Sequence, residues 1–547
     1  MLPFQNMSDY MGYFKDSSPL ALAGVSAHAR ECAERQDKGV FGWRITTDDY
    51  GTRRVLNINS FVGEKLWRAR WWLRRQRDYQ LLVGVKFGGE SVLNDVFILE
   101  QFAKELSVHN VEHTFHLDIE GAKSLLPFAV LLLRTESICL SECQLTSLQA
   151  LERLEWLRSV EMSNCTGDFS IDPLGSCHKL TYLDVAHCEG LTYSGTFTGF
   201  RNLRNVDVRG LNITTVEFLK ECDLLESLDV SECEHLISLD GLSGLQNLTS
   251  VKAVSSGVED IRGLRGCAAL KSLDVSVCKS LKLLDGLSGL TSLETVNAGY
   301  SGITSLKGLI GCTALETLNV QKCKALKSLE GLSGLVHLRE VDAWSAGITS
   351  LKRLAGCVAL ETLDVQCCKS LKSLDGLSCL TSLKSVNAGY SGITSLKGLI
   401  GCTALETLNV QKCKALKSLE GLSGLVHLRE VDAWSAGITS LKRLAGCVAL
   451  ETLEVQCCKS LKSLEGLSGL VHLREVDAWS AGITSLEGLA GCLALETLDV
   501  GYCESLHSFK GLSGLPNLKT VKAFSSCVGI YKLPDECPNL KKVIFEN

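Results

Sequence analysis

The segment LETLNVQKCKALKSLEGLSG, residues 315–334, sets Leu315, Leu318 and Val320 at positions 1, 4 and 6 and then spaces Leu326, Leu329 and Leu332 three residues apart. In an extended strand positions 4 and 6 share one face, so Leu318 and Val320 point inward while Thr317, Asn319 and Gln321 point out. The later leucines return the chain along the far side of the same apolar layer. A unit this short cannot close its own core, and its leucines are buried only if further copies stack on either side.

Those copies are present. The pattern L-x-x-L/V-x-V/A-x-x-C/S/A starts at residues 135, 157, 180, 203, 225, 248, 270, 293, 315, 338, 360, 383, 405, 428, 450, 473, 495 and 518, with a partial copy at Leu540. That makes eighteen full units at spacings of 22 or 23 residues. From 203 onward two flavours alternate, the second exemplified by LREVDAWSAGITSLKRLAGC at 338–357. Residues 296–363 recur identically at 386–453, a shift of 90 residues or four units. The expected architecture is an α/β solenoid with a concave parallel β-sheet, and at about 4.8 Å per strand eighteen units extend it by roughly 85 Å. The I-T-S-L-x-G-L return is too short and glycine-rich for a long helix, so 3-10 turns or irregular backbone are expected on the convex side.

This pattern resembles the leucine-rich repeats, whose horseshoe fold the resemblance implies for residues 135–547, and the short unit is closest to their intracellular regulatory class. The alternation of LDVSxCxxLxxLxGLSGL with V-x-A-x-S-G-I also looks like kinetoplastid leucine-rich-repeat proteins, some of which are described as adenylate-cyclase regulators. The resemblance implies a protein-binding or regulatory role. No cysteine and histidine cluster of the RING kind accompanies it.

Composition agrees with an ordered array: 45% of residues are hydrophobic, 22% are charged, and there are seven prolines. A net charge of −6 gives no basic footprint for wholesale nucleic-acid binding. The longest apolar run, LLPFAVLLL at 125–133, is half a membrane span and reads as a buried element. The N-terminus lacks a basic stretch followed by an apolar one, so an intracellular location, cytoplasmic or nuclear, is expected.

Ten of the 25 cysteines fall at position 9 and nine more fall three residues before position 1. They read as small core residues with a weak S–H donor, standing where this fold often places asparagine. With no C-x-x-C in the chain, neither zinc nor disulfides are expected, and so many unpaired thiols imply a reducing compartment. The histidines of HNVEHTFH, His109, His113 and His116, share a face only if the segment is helical; as a strand it would split His113 from His116. No phosphate loop or nucleophile elbow is found, and neither catalysis, a cofactor nor a small-molecule substrate is expected.

Residues 1–111 do not follow the repeat and are expected to be a mixed N-terminal capping region, with 112–134 a degenerate first repeat. The segment EKLWRARWWLRRQRDY at 64–79 concentrates Arg68, Arg70, Arg74, Arg75 and Arg77 beside tryptophans. It is either a capping helix or a second site for RNA, an anionic membrane or an acidic partner. The LKKVIFEN segment at 540–547 is expected to leave a strand edge guarded only by Lys541, Lys542 and Glu546.

On the solvent side of the strands, position 5 is an acidic and amide stripe. Position 7 carries Trp344, Trp434, Trp479 and Phe524, and position 8 carries Tyr300, Tyr390 and Tyr502. Exposed aromatics of this size are typical interface anchors. Each tryptophan follows an aspartate by two residues (Asp342, Asp432, Asp477), which suits a protein partner with a basic segment.

Overall fold

In the computed structural model the described residues are 43–47, 53–58, 80–87, 92–192, 199–524, 540 and 542–544. The chain divides into two compact units, 1–234 and 235–547.

The first unit opens with strands β1 (Trp43–Thr47) and β2 (Arg53–Ile58), which pair antiparallel. Strand β3 (Gln80–Phe87) lies parallel to β2, and helix α1 (Val92–Val108) carries the chain over to β4 (His113–Glu120), parallel to β3. The helix buries Val96, Leu99, Phe102 and Leu106, the stripe a 3.6-residue period allows, and ends at Asn110 in the left-handed region. Strand β5 (Thr135–Ser141) joins β4, and further parallel strands follow at Ser159–Ser163, Tyr182–Asp184, Asn205–Asp207 and Ser227–Asp229. The described residues of the region expected to cap the array therefore add strands to its edge. LLPFAVLLL folds as a short 3-10 turn and one helical turn that bury Leu125, Phe128, Leu131 and Leu132 while Leu126, Val130 and Leu133 face solvent.

The second unit is the repeat in its plainest form. Three-residue strands such as Thr317–Asn319 and Glu340–Asp342 pair in parallel, each with the next, in a series that runs from Ser250–Lys252 to Lys542–Ile544. The inter-strand bonds run past the named strands: Val320 N–H donates to Asp342 O at 2.7 Å and Lys322 N–H to Trp344 O at 2.6 Å. Behind the sheet the return consists of three-residue 3-10 turns, such as Lys307–Leu309 and Lys352–Leu354, as the sequence requires. Leu315, Leu318, Val320, Leu326, Leu329 and Leu332 are fully buried.

Two features of the unit are local solutions to the same problem, turning the chain without stranding a backbone group. Position 8 is left-handed in all seventeen units from 135 to 495, with φ between 52° and 68° and only one glycine, Gly210, among them. The positive φ keeps the position-8 N–H on the neighbouring carbonyl while position 9 turns into the core. There the cysteines act as donors: Cys323 Sγ donates to Ala298 O at 3.1 Å and Cys368 to Ala343 O at 3.2 Å. A second thiol ladder runs along the return, where Cys312 reaches Leu287 O and Cys357 reaches Leu332 O. Eighteen of the nineteen repeat cysteines are among the described residues and all eighteen are buried; Cys537 lies outside them.

Candidate functional site

The solvent face of the strands in the second unit is laid out in columns, because every unit repeats the same register. At position 5 the acids and amides bond along the sheet. Asn297 Nδ2 donates to Asp274, Asn387 Nδ2 to Asp364 and Asn409 Nδ2 to Asp432, each at 2.9 Å. Asp432 commits its other carboxylate oxygen within its own strand, accepting the N–H of Trp434 at 2.9 Å, and Asp342 and Asp477 likewise accept the N–H of the tryptophan two residues on, at 2.9 Å. These aspartates thus cap the strand end and aim the tryptophans. From Asp432 the stripe continues through Glu454, Asp477 and Asp499 without an intervening amide. Burial, and then the neighbouring charges, hold the carboxyls of Asp364 and Asp477 above the ordinary carboxylate range; Asp432 and Glu454 are raised first by burial as well. Asp499 pairs with Lys522 at 3.3 Å.

The aromatic column stands above this stripe. Trp344, Trp434, Phe524 and Tyr502 are half-buried, and Tyr300, Tyr390 and Trp479 are exposed, Trp479 by 38%. They come from every second strand, so neighbouring rings are two strands apart, about 10 Å. Only Tyr502 departs from this spacing; it meets the edge of Trp479 with centroids 5.4 Å apart. Between the rings lies something the sequence reading missed. Lys322 places its ammonium 4.7 Å from the Tyr300 ring and 4.5 Å from that of Trp344, and Lys412 sits 4.8 Å from Tyr390 and 4.1 Å from Trp434. Part of the aromatic surface is thereby taken by the chain's own cations. The signal was a lysine recurring at position 8 of the strand between two aromatic strands.

A second column, at position 2 along the other end of the strands, mixes both signs and alternates strictly from Glu316 to Lys519. Lys271 pairs with Glu294 at 3.0 Å, Arg339 with Glu361 at 3.0 Å, Arg429 with Glu451 at 3.3 Å, and Lys519 with Glu496. These exposed pairs contribute little each, but they consume the charges on that edge.

The histidine segment is split, as its strand reading requires. His109 follows helix α1 directly, and His113 is buried in β4 with Nδ1 2.9 Å from Val111 O, its pKa lowered by burial. His116 bonds Ser137. Among the described residues no group of three or more His, Cys, Asp or Glu is disposed to hold a metal ion, and no helix is long and apolar enough to cross a membrane. The arginines Arg68, Arg70, Arg74, Arg75 and Arg77 lie outside the described residues.

Short parallel strands on one side, 3-10 returns on the other and leucines between them make this a leucine-rich-repeat solenoid. One solved structure agrees. The chain is similar to one in the Drosophila Toll–Spätzle complex, with 12% identity and a TM-score of 0.50 over 88% of this chain and 65% of that one. An internalin (InlF) from Listeria monocytogenes is 19% identical with a TM-score of 0.40, over 68% of this chain and 88% of its own. A leucine-rich-repeat protein of Leptospira interrogans is 14% identical, also with a TM-score of 0.40, over 74% of this chain and 88% of its own. No family model and no curated protein sequence matches the chain. At these identities the likeness concerns the fold alone.

Proposed function

We propose that this protein is a non-enzymatic interaction scaffold or regulatory subunit that binds a protein partner, through a basic segment, on the concave face of its sheet. The observation that carries this reading is the row of large aromatic rings, on every second strand, above an acid and amide stripe that runs from Asp274 to Asp499. Rings supply desolvated contact area and the carboxylates supply sign. The fold supports it too, since leucine-rich-repeat structures include complexes with protein ligands, the Toll–Spätzle complex among them. The resemblance to kinetoplastid regulatory proteins would make the partner a signalling enzyme, and the free thiols fit a reducing cytoplasm or nucleus.

The test is affinity capture with mass spectrometry on the wild-type chain and on a variant with Trp344→Ser, Trp434→Ser and Trp479→Ser. These residues lie outside the leucine core, so the fold should persist while binding weakens by about 2 kcal/mol per true anchor. The same partners at the same affinity would refute the reading. Loss instead on neutralising Arg68, Arg70, Arg74, Arg75 and Arg77 would favour a structural component that contacts RNA, membrane or filament through 64–79.

A further inference from the structure

The aromatic column divides into intervals that differ by a paired exchange of residues. Between the strands of Tyr300 and Trp344 runs LETLNVQKC, residues 315–323, and between those of Tyr390 and Trp434 the same sequence returns at 405–413. Both intervals hold an asparagine at position 5 (Asn319, Asn409) and a lysine at position 8 (Lys322, Lys412), and in both the lysine ammonium lies between the two rings. The intervals that alternate with them read differently. Between Trp344 and Tyr390 the strand is LETLDVQCC at 360–368, and between Trp434 and Trp479 it is LETLEVQCC at 450–458. The lysine has become Cys367 or Cys457, and the asparagine has become Asp364 or Glu454. Each exchange removes one positive charge and adds one negative charge at the same place.

From this we infer that the intervals over Cys367 and Cys457 are two receptor slots for lysine or arginine side chains of the partner, which would occupy the positions Lys322 and Lys412 take in the filled intervals. The inference deepens the scaffold reading and rests on it. Several observations favour a cation from outside. None of the described cation–ring contacts falls in either interval; Lys459, on the strand of Cys457, is instead held by Ser480 Oγ at 2.7 Å. Cys367 and Cys457 are left-handed, with φ of 62° and 58°, as are Lys322 and Lys412 at 55°, so the backbone presents position 8 in the same way in all four intervals. In the Cys457 interval Gln456 turns its Nε2 toward Glu454 at 3.4 Å and leaves its buried Oε1 with no donor, a position an ammonium or guanidinium N–H would satisfy. Asp364 and Glu454 are also half-buried acids next to other acids, Asp342 in one case and Asp432 and Asp477 in the other. A bound cation would relieve that repulsion. A thiol at the base keeps the slot small and uncharged, and for both cysteines the ring-to-ring interval is two strands, as in the filled copies.

The slots are four strands apart, about 19 Å, which an extended peptide spans in roughly six residues. A Gly/Ser peptide with arginines at its first and seventh positions is therefore a suitable probe, with the same peptide bearing citrulline as the uncharged control. Tryptophan fluorescence at low ionic strength reads the binding. The decisive variant fills both slots with the protein's own solution: Asp364→Asn with Cys367→Lys, and Glu454→Asn with Cys457→Lys. It copies 315–323 onto two strands that likewise lie between aromatic strands, with Trp344 before and Tyr390 after the first and Trp434 before and Trp479 after the second, and its melting curve checks that it folds. We expect at least tenfold weaker binding of the arginine peptide to this variant, and little binding of the citrulline peptide to either protein. Equal affinity for the filled variant and the wild type would overturn the slot assignment. If that binding is then lost in the triple tryptophan-to-serine variant, the face still binds cations and the scaffold reading stands; if it survives there too, both fail.

Discussion

Val277 is the one β-branched residue among the seventeen left-handed position-8 residues, at φ 64°, and its side chain is half-exposed. An L-residue in this region costs roughly 1–2 kcal/mol, and branching at Cβ puts Val277 at the upper end; asparagine tolerates the region because its short polar side chain bonds locally. Replacing Val277 with asparagine should recover about 1.5 kcal/mol of strain. Against this stands the lost burial of half a valine side chain, about 0.7 kcal/mol. The net expectation for Val277→Asn is a stabilisation of about 0.8 kcal/mol. The mirror experiment sits one strand earlier: Ser255 has φ 56° and the same half-exposure, so Ser255→Val should cost about 1 kcal/mol. Urea unfolding with an unchanged m-value reads the sum, and hydrogen exchange of the amides of 270–300 reads the local share, since repeat arrays respond through nearest neighbours. A destabilised Val277→Asn together with a stabilised Ser255→Val would refute the claim that the left-handed seat selects the residue.

Glycines differ sharply within one return. Gly331→Ala, at φ 118° with its new Cβ 2.0 Å from Leu306 O, should unfold its neighbourhood, whereas Gly334→Ala, at φ 79° with nothing within 4 Å, should cost only about 1 kcal/mol by urea midpoint. Burial and then the charges of Asp432 and Asp477 raise the pKa of Glu454, so its fold-favoured form is the protonated one. That preference is fully present below the ordinary glutamate pKa and is lost as pH rises through the raised value. Glu454→Gln should therefore raise the urea midpoint at pH 7, with the difference vanishing near pH 4; a constant difference across that window would show that charge is not the cause. The buried thiols, with Cys368, Cys458 and Cys503 pushed up to about 12, should alkylate only on unfolding. Cys379, exposed where sister units carry glycine, should label first, and native disulfides on non-reducing gels would contradict the compartment reading.

The apolar spacing was legible because each leucine recurs in the same column, and one strand's inside and outside follow from a period of two. The thiols were legible for a similar reason, since only a small side chain with a donor suits so many equivalent core seats. The occupation of Trp344 and Trp434 by Lys322 and Lys412 was not foreseen. It depends on the positive φ at position 8, which turns that side chain over the sheet face, and no glycine pattern announces it. The aspartates before the tryptophans read as free charge in the sequence, yet each spends one oxygen on a backbone N–H. Helix α1 was hidden in a region with no repeat to calibrate it.

The verbatim recurrence of 296–363 at 386–453 makes the length of this molecule adjustable in whole steps. Excising 296–385 would join Thr295 to Val386 and recreate the sequence that follows Thr295 in the intact chain, so the new junction repeats packing the molecule already contains. Unequal exchange between the two stretches of DNA could therefore add or remove a 90-residue block with no intermediate that misfolds. Each event would change the number of cysteine-floored intervals by one and leave the separation of adjacent ones untouched. Binding valence would thus evolve as an integer, and a partner with a matching periodic charge would gain or lose contacts in discrete increments.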